Sequence, residues 1–194
     1  NTMSTAMECL GISIMGSSCV PATHPKKDEI CREVGARIME LLKEDLRPDR
    51  IITRGALENA IFSIAATGGS TNGVLHLLAI AREMGVPLAL EDFDTLSGRT
   101  PLLADLKPWG RFVATDVYAA GGTALLAGRL LDAGVLNPDE MTVSGRTIGE
   151  EARAAEETPG QEVIRPLDNP LAPNGGLVVL KGNLAPEGCI MKIA

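Results

Sequence analysis

The sequence predicts a helix-rich α/β domain over residues 1–157, followed over residues 158–194 by a linker and the first strands of a β domain. Three observations predict this. Apolar residues recur with a helical period through much of the first 157 positions. That period is lost at Thr158-Pro159-Gly160, where β-rich runs begin to alternate with Pro, Gly and Asn turns. Hydrophobic residues make up 45% of the chain and aromatics only 3%, so the core must be built from Ala, Leu, Ile and Val.

Residues 2–10 read as a helix stopped at Gly11, and residues 12–20 as an irregular connection. Pro25 suits a first helical turn with Thr23 as its cap. The helix that follows reaches about Glu44, with Ile30, Val34, Ile38 and Leu41-Leu42 on its inward face. Arg47-Pro48-Asp49 ends it. Thr53 caps the next helix, whose apolar face is Leu57, Ile61 and Ile64. After the glycine break at Gly68-Gly69, another helix turns Val74, Leu75, Leu78 and Ala79 inward, and Gly85 closes it. Residues 90–97 read as a short helix. Residues 101–106 and 111–114 are short apolar runs with strand character. Gly121-Gly122-Thr123 opens a helix over residues 123–133, and residues 141–143 suit a short strand. Thr147 and Glu150 form a capping box for a helix to about Glu157. Residues 163–165, 177–180 and 189–193 read as strands.

At 194 residues the chain holds one domain, or one and a part of another. A formal charge of −7 and a pI near 4.9 argue against a nucleic acid or an anionic membrane as partner. No apolar run approaches the roughly 18–20 residues of a membrane helix. Cys9, Cys19, Cys31 and Cys189 form no C-x-x-C pair and no zinc spacing. With no export signal visible, the expected location is cytoplasmic, with reduced thiols. The chain opens on Asn1 already in helical pattern, and its last residues read as a strand cut short. The expectation is an internal piece of a longer protein.

The segment richest in chemistry is Gly68-Gly69-Ser70-Thr71-Asn72, with His76 four residues on. Two glycines and three small polar residues at a helix start can aim N–H groups and hydroxyls at one point, which suits a carboxylate or phosphate. Nothing about packing asks for them there, and the alternative reading is a plain helix corner, which accounts for three or four of the five residues. Asn72 and His76 share a helix face at i, i+4. Gly121-Gly122-Thr123 reads first as a corner, and His24 first as a helix-cap residue.

Several segments then resemble one family in its own order. They are Asn1-Thr2-Met3, Pro21-Ala22-Thr23-His24-Pro25, Glu58-Asn59-Ala60-Ile61, Gly68-Gly69-Ser70-Thr71-Asn72 with Leu75-His76-Leu77, and Pro101-Leu102-Leu103-Ala104-Asp105-Leu106-Lys107-Pro108. Downstream follow Gly121-Gly122, Arg165-Pro166-Leu167-Asp168-Asn169-Pro170, and Gly175-Gly176-Leu177 through Lys181-Gly182-Asn183-Leu184-Ala185-Pro186-Glu187-Gly188. Together they resemble the dihydroxy-acid dehydratase and 6-phosphogluconate dehydratase family, and the dihydroxy-acid member most.

The resemblance implies a hydro-lyase that turns a 2,3-dihydroxy acid into a 2-keto acid in isoleucine and valine biosynthesis. It implies an iron–sulfur cluster as Lewis acid on the 3-hydroxyl, a magnesium ion holding the carboxylate and 2-hydroxyl, and a serine base. It also implies a homodimer. In the family the cluster cysteines and the metal-binding aspartate lie upstream of the matched region, and the magnesium glutamate and catalytic serine lie downstream. None of the four cysteines here aligns with a cluster position. No metal ligand and no catalytic residue is therefore assigned to this chain. Ser70, Thr71, Asn72 and His76 are the expected substrate-binding or cleft-facing residues. The alternatives are a sugar-acid dehydratase of the same family, acting on 6-phosphogluconate or an aldonate, and a non-catalytic module for these 194 residues alone.

Overall fold

The computed structural model describes residues 1–193. Among them are eight α-helices, one 3-10 turn and a two-stranded antiparallel sheet. The helix-rich expectation holds, and among the described residues the only extended ladder is the hairpin near the end of the chain.

α3 (Arg54–Ala66) is the central element. Thr53 caps it, accepting the Ala56 N–H at 3.0 Å, and ten of its side chains are buried, Leu57, Phe62 and Ile61 fully. A helix apolar on every side is a core helix. α1 (Thr2–Cys9), α4 (Asn72–Glu83), α5 (Leu90–Gly98) and α7 (Gly122–Asp132) surround it. α1 is capped by Asn1 and α8 (Ile148–Arg153) by Thr147. The Thr147–Glu150 box forms as expected: the Thr147 N–H donates to Glu150 Oε2 at 2.8 Å, and the Glu150 N–H to Thr147 Oγ1 at 3.2 Å. α8 ends four residues short of the expected Glu157.

α2 (Lys27–Glu44) departs from expectation at both its start and its face. Thr23 does not cap it; the Lys26 N–H is taken by His24 Nδ1 at 3.2 Å, and the helix begins after that turn. Of the expected inward residues only Leu41 is buried, while Val34 and Ile38 are 43% and 53% exposed. They overhang a groove of about 570 Å³ walled by Ile12, Leu46 and Ile51. The helix is anchored at its edge, where Arg37 donates to the Val143 carbonyl and pairs with Glu44 at 2.8 Å.

α4 is rotated from its expected orientation. It buries Gly73, Val74, Leu77 and Ala81, while Leu75 is 66% exposed and Ala79 is exposed. The reason is Gly73: a Cβ there would lie 2.6 Å from Ile64 Cδ1, so the helix rests on α3 through its bare backbone. Contact at position 73 turns position 75 outward.

α6 (Ala114–Ala120) takes in only the last of residues 111–114, where a strand was expected, and Phe112 of that run makes one parallel bridge with Leu106. The Val113 N–H donates to Asp116 Oδ2 at 2.8 Å, the half-cap that starts the helix. The other expected strands in this part reduce to single bridges, Leu102 with Ala172, Ala104 with Ile164, and Met141 with Thr147. β1 (Leu177–Gly182) and β2 (Ala185–Lys192) pair with Leu180 opposite Cys189 and Leu177 opposite Lys192. Val163, Ile164 and Leu177 belong to the same buried cluster as α3 and α7.

Candidate functional site

The starts of α1 and α7 and the end of α3 meet at one cavity of about 250 Å³. Asn1, Thr2, Ser4 and Thr5 line it from α1, Thr67-Gly68-Gly69 from the end of α3, and Thr123 from α7. Leu106, Val117, Leu126 and Ile164 add apolar lining. Lys107 and Lys192 stand at it, and among the described residues no Asp or Glu lines it. Burial holds the Lys192 ammonium below the usual lysine range. In a chain of net charge −7, two helix starts, two lysines and no carboxylate make a local field that favours an anion.

Each wall has a local cause. Gly68 sits at φ 53°, a left-handed conformation that ends α3. A Cβ on Gly69 would lie 2.7 Å from Thr2 Cγ2 and 2.9 Å from Ile64 Cγ2. Packing therefore does ask for this pair of glycines: they let α1 cross the end of α3. The Ser70 N–H then donates to Thr2 Oγ1 at 3.0 Å, tying the break to α1.

Residues 16–19 form another wall, fixed by a carboxylate that sequence reading missed. Glu8 is fully buried and accepts the Gly16 N–H at 3.0 Å and the Ser18 N–H at 2.7 Å. It also accepts the Ser18 hydroxyl. This clamp brings Ser18 and Cys19 to the cavity. Cys19 Sγ donates to the Gly16 carbonyl at 3.3 Å. Burial, and then the Glu8 charge, push its thiol up. The available signal was Glu8 itself, a charged residue on the inward side of a short helix.

The loop at residues 105–112 fixes Lys107. Its N–H donates to the Phe112 carbonyl at 2.8 Å, and Arg111 Nε donates to Asp105 Oδ2 at 2.6 Å. A Cβ on Gly110 would fall 2.3 Å from the Asp105 carbonyl carbon, so the loop closes on itself.

The four expected site residues fall beyond this wall. Ser70 is half-buried, and its Oγ accepts the Asn72 N–H at 3.2 Å. Thr71, Asn72 and His76 are exposed on the first turns of α4. The glycines of the break face the cavity and its polar residues lie on the adjoining surface. The second glycine break, read as a corner, also reaches the cavity through Thr123. His24, read as a cap residue, takes the Lys26 N–H and packs edge-on against Tyr118 with ring centroids 5.2 Å apart.

The residues present do not fit an iron–sulfur cluster or a magnesium site. Cluster ligation needs converging thiolates. Cys9 is buried and its thiol is pushed up to about 12 by that burial, while Cys31 and Cys189 lie exposed. Among the described residues no group of three or more His, Cys, Asp or Glu converges as a metal site. No chemical step is derived through either group.

Residues 1–151 match the family model described as dihydroxy-acid/6-phosphogluconate dehydratase N-terminal, and residues 162–194 its C-terminal counterpart. All of the chain aligns with curated relatives named dihydroxy-acid dehydratase. It is 60% identical to that of Koribacter versatilis, covering 34% of the relative, and 58% identical to that of Roseiflexus castenholzii, also covering 34%. It is 51% identical to the Thermus thermophilus protein of the same name, covering 35% of it. The chain thus spans about a third of the length of these relatives.

Proposed function

The chain belongs to the dihydroxy-acid/6-phosphogluconate dehydratase family, and from that premise we propose that the whole enzyme carrying it is a hydro-lyase. It removes water from a 2,3-dihydroxy acid to give a 2-keto acid, in the branched-chain amino-acid pathway. The observation that carries this reading is 60% identity, along the entire chain, to a protein named dihydroxy-acid dehydratase.

The cavity supports it chemically. The helix starts and lysines suit the carboxylate of a small acid, and the Leu106, Val117, Leu126 and Ile164 lining suits a branched alkyl end. The Glu8 clamp and the residue 105–112 loop keep these walls rigid, so binding costs little reorganisation. In this reading the iron–sulfur cluster and magnesium are held by parts of the whole enzyme beyond these residues. Lewis-acid polarisation of the departing hydroxyl is the chemistry that those groups would supply. Ser70, Thr71, Asn72 and His76 belong to the rim where those parts close over the cavity. The domain division near residue 158, a homodimeric assembly and a cytoplasmic location complete the proposal. No helix among the described residues is long and apolar enough to cross a membrane.

The test is 2-keto acid formation by the metal-loaded whole enzyme, with 2,3-dihydroxyisovalerate and 6-phosphogluconate offered separately. The expected outcome is a higher kcat/KM for the former. Turnover of 6-phosphogluconate alone would move the chain to the sugar-acid branch, and turnover of neither would end the hydro-lyase reading. Asn72→Ala and His76→Ala in that enzyme test the rim: unchanged turnover and unchanged cluster content would remove both residues from it. Sedimentation of the whole enzyme reads the assembly.

A further inference from the structure

We propose that the α7 end of the cavity is a binding subsite for a carboxylate oxygen, and that Thr123 Oγ1 is its hydrogen-bond donor. The identity of the acid rests on the dehydratase reading above; the existence of the subsite rests on geometry.

Thr123 is 1% exposed and its hydroxyl has no hydrogen-bond partner in the protein. It nevertheless lines the cavity. Its neighbours there are different. The Thr5 hydroxyl donates to the Asn1 carbonyl at 3.4 Å, the Thr67 hydroxyl to the Ser63 carbonyl at 2.8 Å, and the Ser18 hydroxyl to Glu8. Buried hydroxyls are normally satisfied, so an orphan at a cavity wall calls for a partner from the cavity.

The surroundings select an anion. Thr123 sits in the first turn of an eleven-residue helix, at its positive end. The unpartnered hydroxyl is the side-chain group that this residue offers a ligand. Lys107 and Lys192 line the same cavity, and among the described residues no carboxylate lines it, the nearby Glu8 being taken up by the Gly16 and Ser18 N–H groups. The break itself is built for close approach: Gly122 has φ 71°, and a Cβ there would lie 3.0 Å from Cys19 Sγ. Gly121-Gly122 lets the thiol and the helix start share one corner, with the hydroxyl beside them.

Thr123→Val removes the hydroxyl at constant shape, Thr123→Ser keeps it, and Thr123→Ala removes it with less bulk. The variants are made in the whole enzyme, and binding of 2,3-dihydroxyisovalerate is measured by calorimetric titration alongside Tm and KM. A hydroxyl donating to a charged oxygen predicts about a tenfold or greater rise in Kd and KM for Val and Ala. Ser should bind like the parent. Because Val deletes an orphaned hydroxyl, the Tm of the ligand-free Val variant should be unchanged or higher; a structural hydrogen bond made by that hydroxyl within the protein would lower it. Unchanged Kd in Val and Ala, or no binding of the acid by the parent enzyme, overturns the subsite. Weakened binding in Val and Ala without 2-keto acid formation by the parent keeps the subsite and removes the dehydratase reading. Normal turnover with unchanged KM in Val does the reverse.

Discussion

At the scale of the residue, the interior holds charges and thiols whose environments set their behaviour. Glu151 is 7% exposed; its Oε1 accepts the Thr142 hydroxyl at 3.3 Å and its Oε2 has no partner. Burial therefore holds its carboxyl above the usual glutamate range. The folded chain keeps this proton after the unfolded chain has lost it, so stability falls as pH rises from the ordinary glutamate value through the raised one. Glu151→Gln retains the Thr142 contact and removes the charge. Its Tm should decline less than the parent's between about pH 5 and pH 8, which thermal melts across that range would check. The cysteines make a second prediction. Native chain treated with a thiol reagent and read by mass spectrometry should label at Cys31 and Cys189 first and at Cys19 slowly. Cys9, with its thiol at about 12 and a 1% exposed residue, should label only on unfolding. Labelling of Cys9 at the rate of Cys31 would contradict the burial of α1. None of this was legible in the sequence, because the spacing of cysteines and glutamates does not reveal which of them a neighbouring helix will cover.

At the scale of the element, existence was legible and orientation was not. The caps at Thr53 and Thr147 announce α3 and α8, because a hydroxyl three residues before a free N–H acts locally. Which face points inward is a pairwise matter. α4 turns Leu75 out because Gly73 must touch Ile64, and α2 turns Val34 and Ile38 toward an open groove because Arg37 is held by Val143. Two glycine substitutions separate these roles. Gly69→Ala drives a methyl to within 3 Å of Thr2 and Ile64, and should cost about 1–3 kcal/mol. Gly35 lies inside α2 with nothing within 4 Å of the position a Cβ would take. Gly35→Ala should therefore stabilise by about 0.5–1 kcal/mol through helix propensity. Urea unfolding midpoints of the two variants should move in opposite directions, and equal shifts would refute the close approach of α1 and α3.

At the scale of the whole molecule, the segment after residue 158 is stitched to the first. The Leu102 and Arg165 N–H groups bond across to Ala172 and Leu103 at 3.0 and 2.8 Å, and Ile164 is 1% exposed in the common core. Ile164→Ala should cost about 2–5 kcal/mol, or roughly 5–15 °C in Tm at this chain length. A loss below about 1 kcal/mol would mean that the later segment folds apart from the earlier one. The sequence by itself determined the family, the helix-rich class and most helix positions. These are properties of order along the chain: period, caps, turn residues and motifs in register. Only the tertiary structure decided that the glycines serve the crossing of α1 over α3, that Glu8 clamps residues 16–18, and that Thr123 joins the same cavity from another helix. Those residues stand far apart in the chain, and the physical reason they meet is the packing of α1 and α7 against one buried helix, a relation that no local pattern encodes.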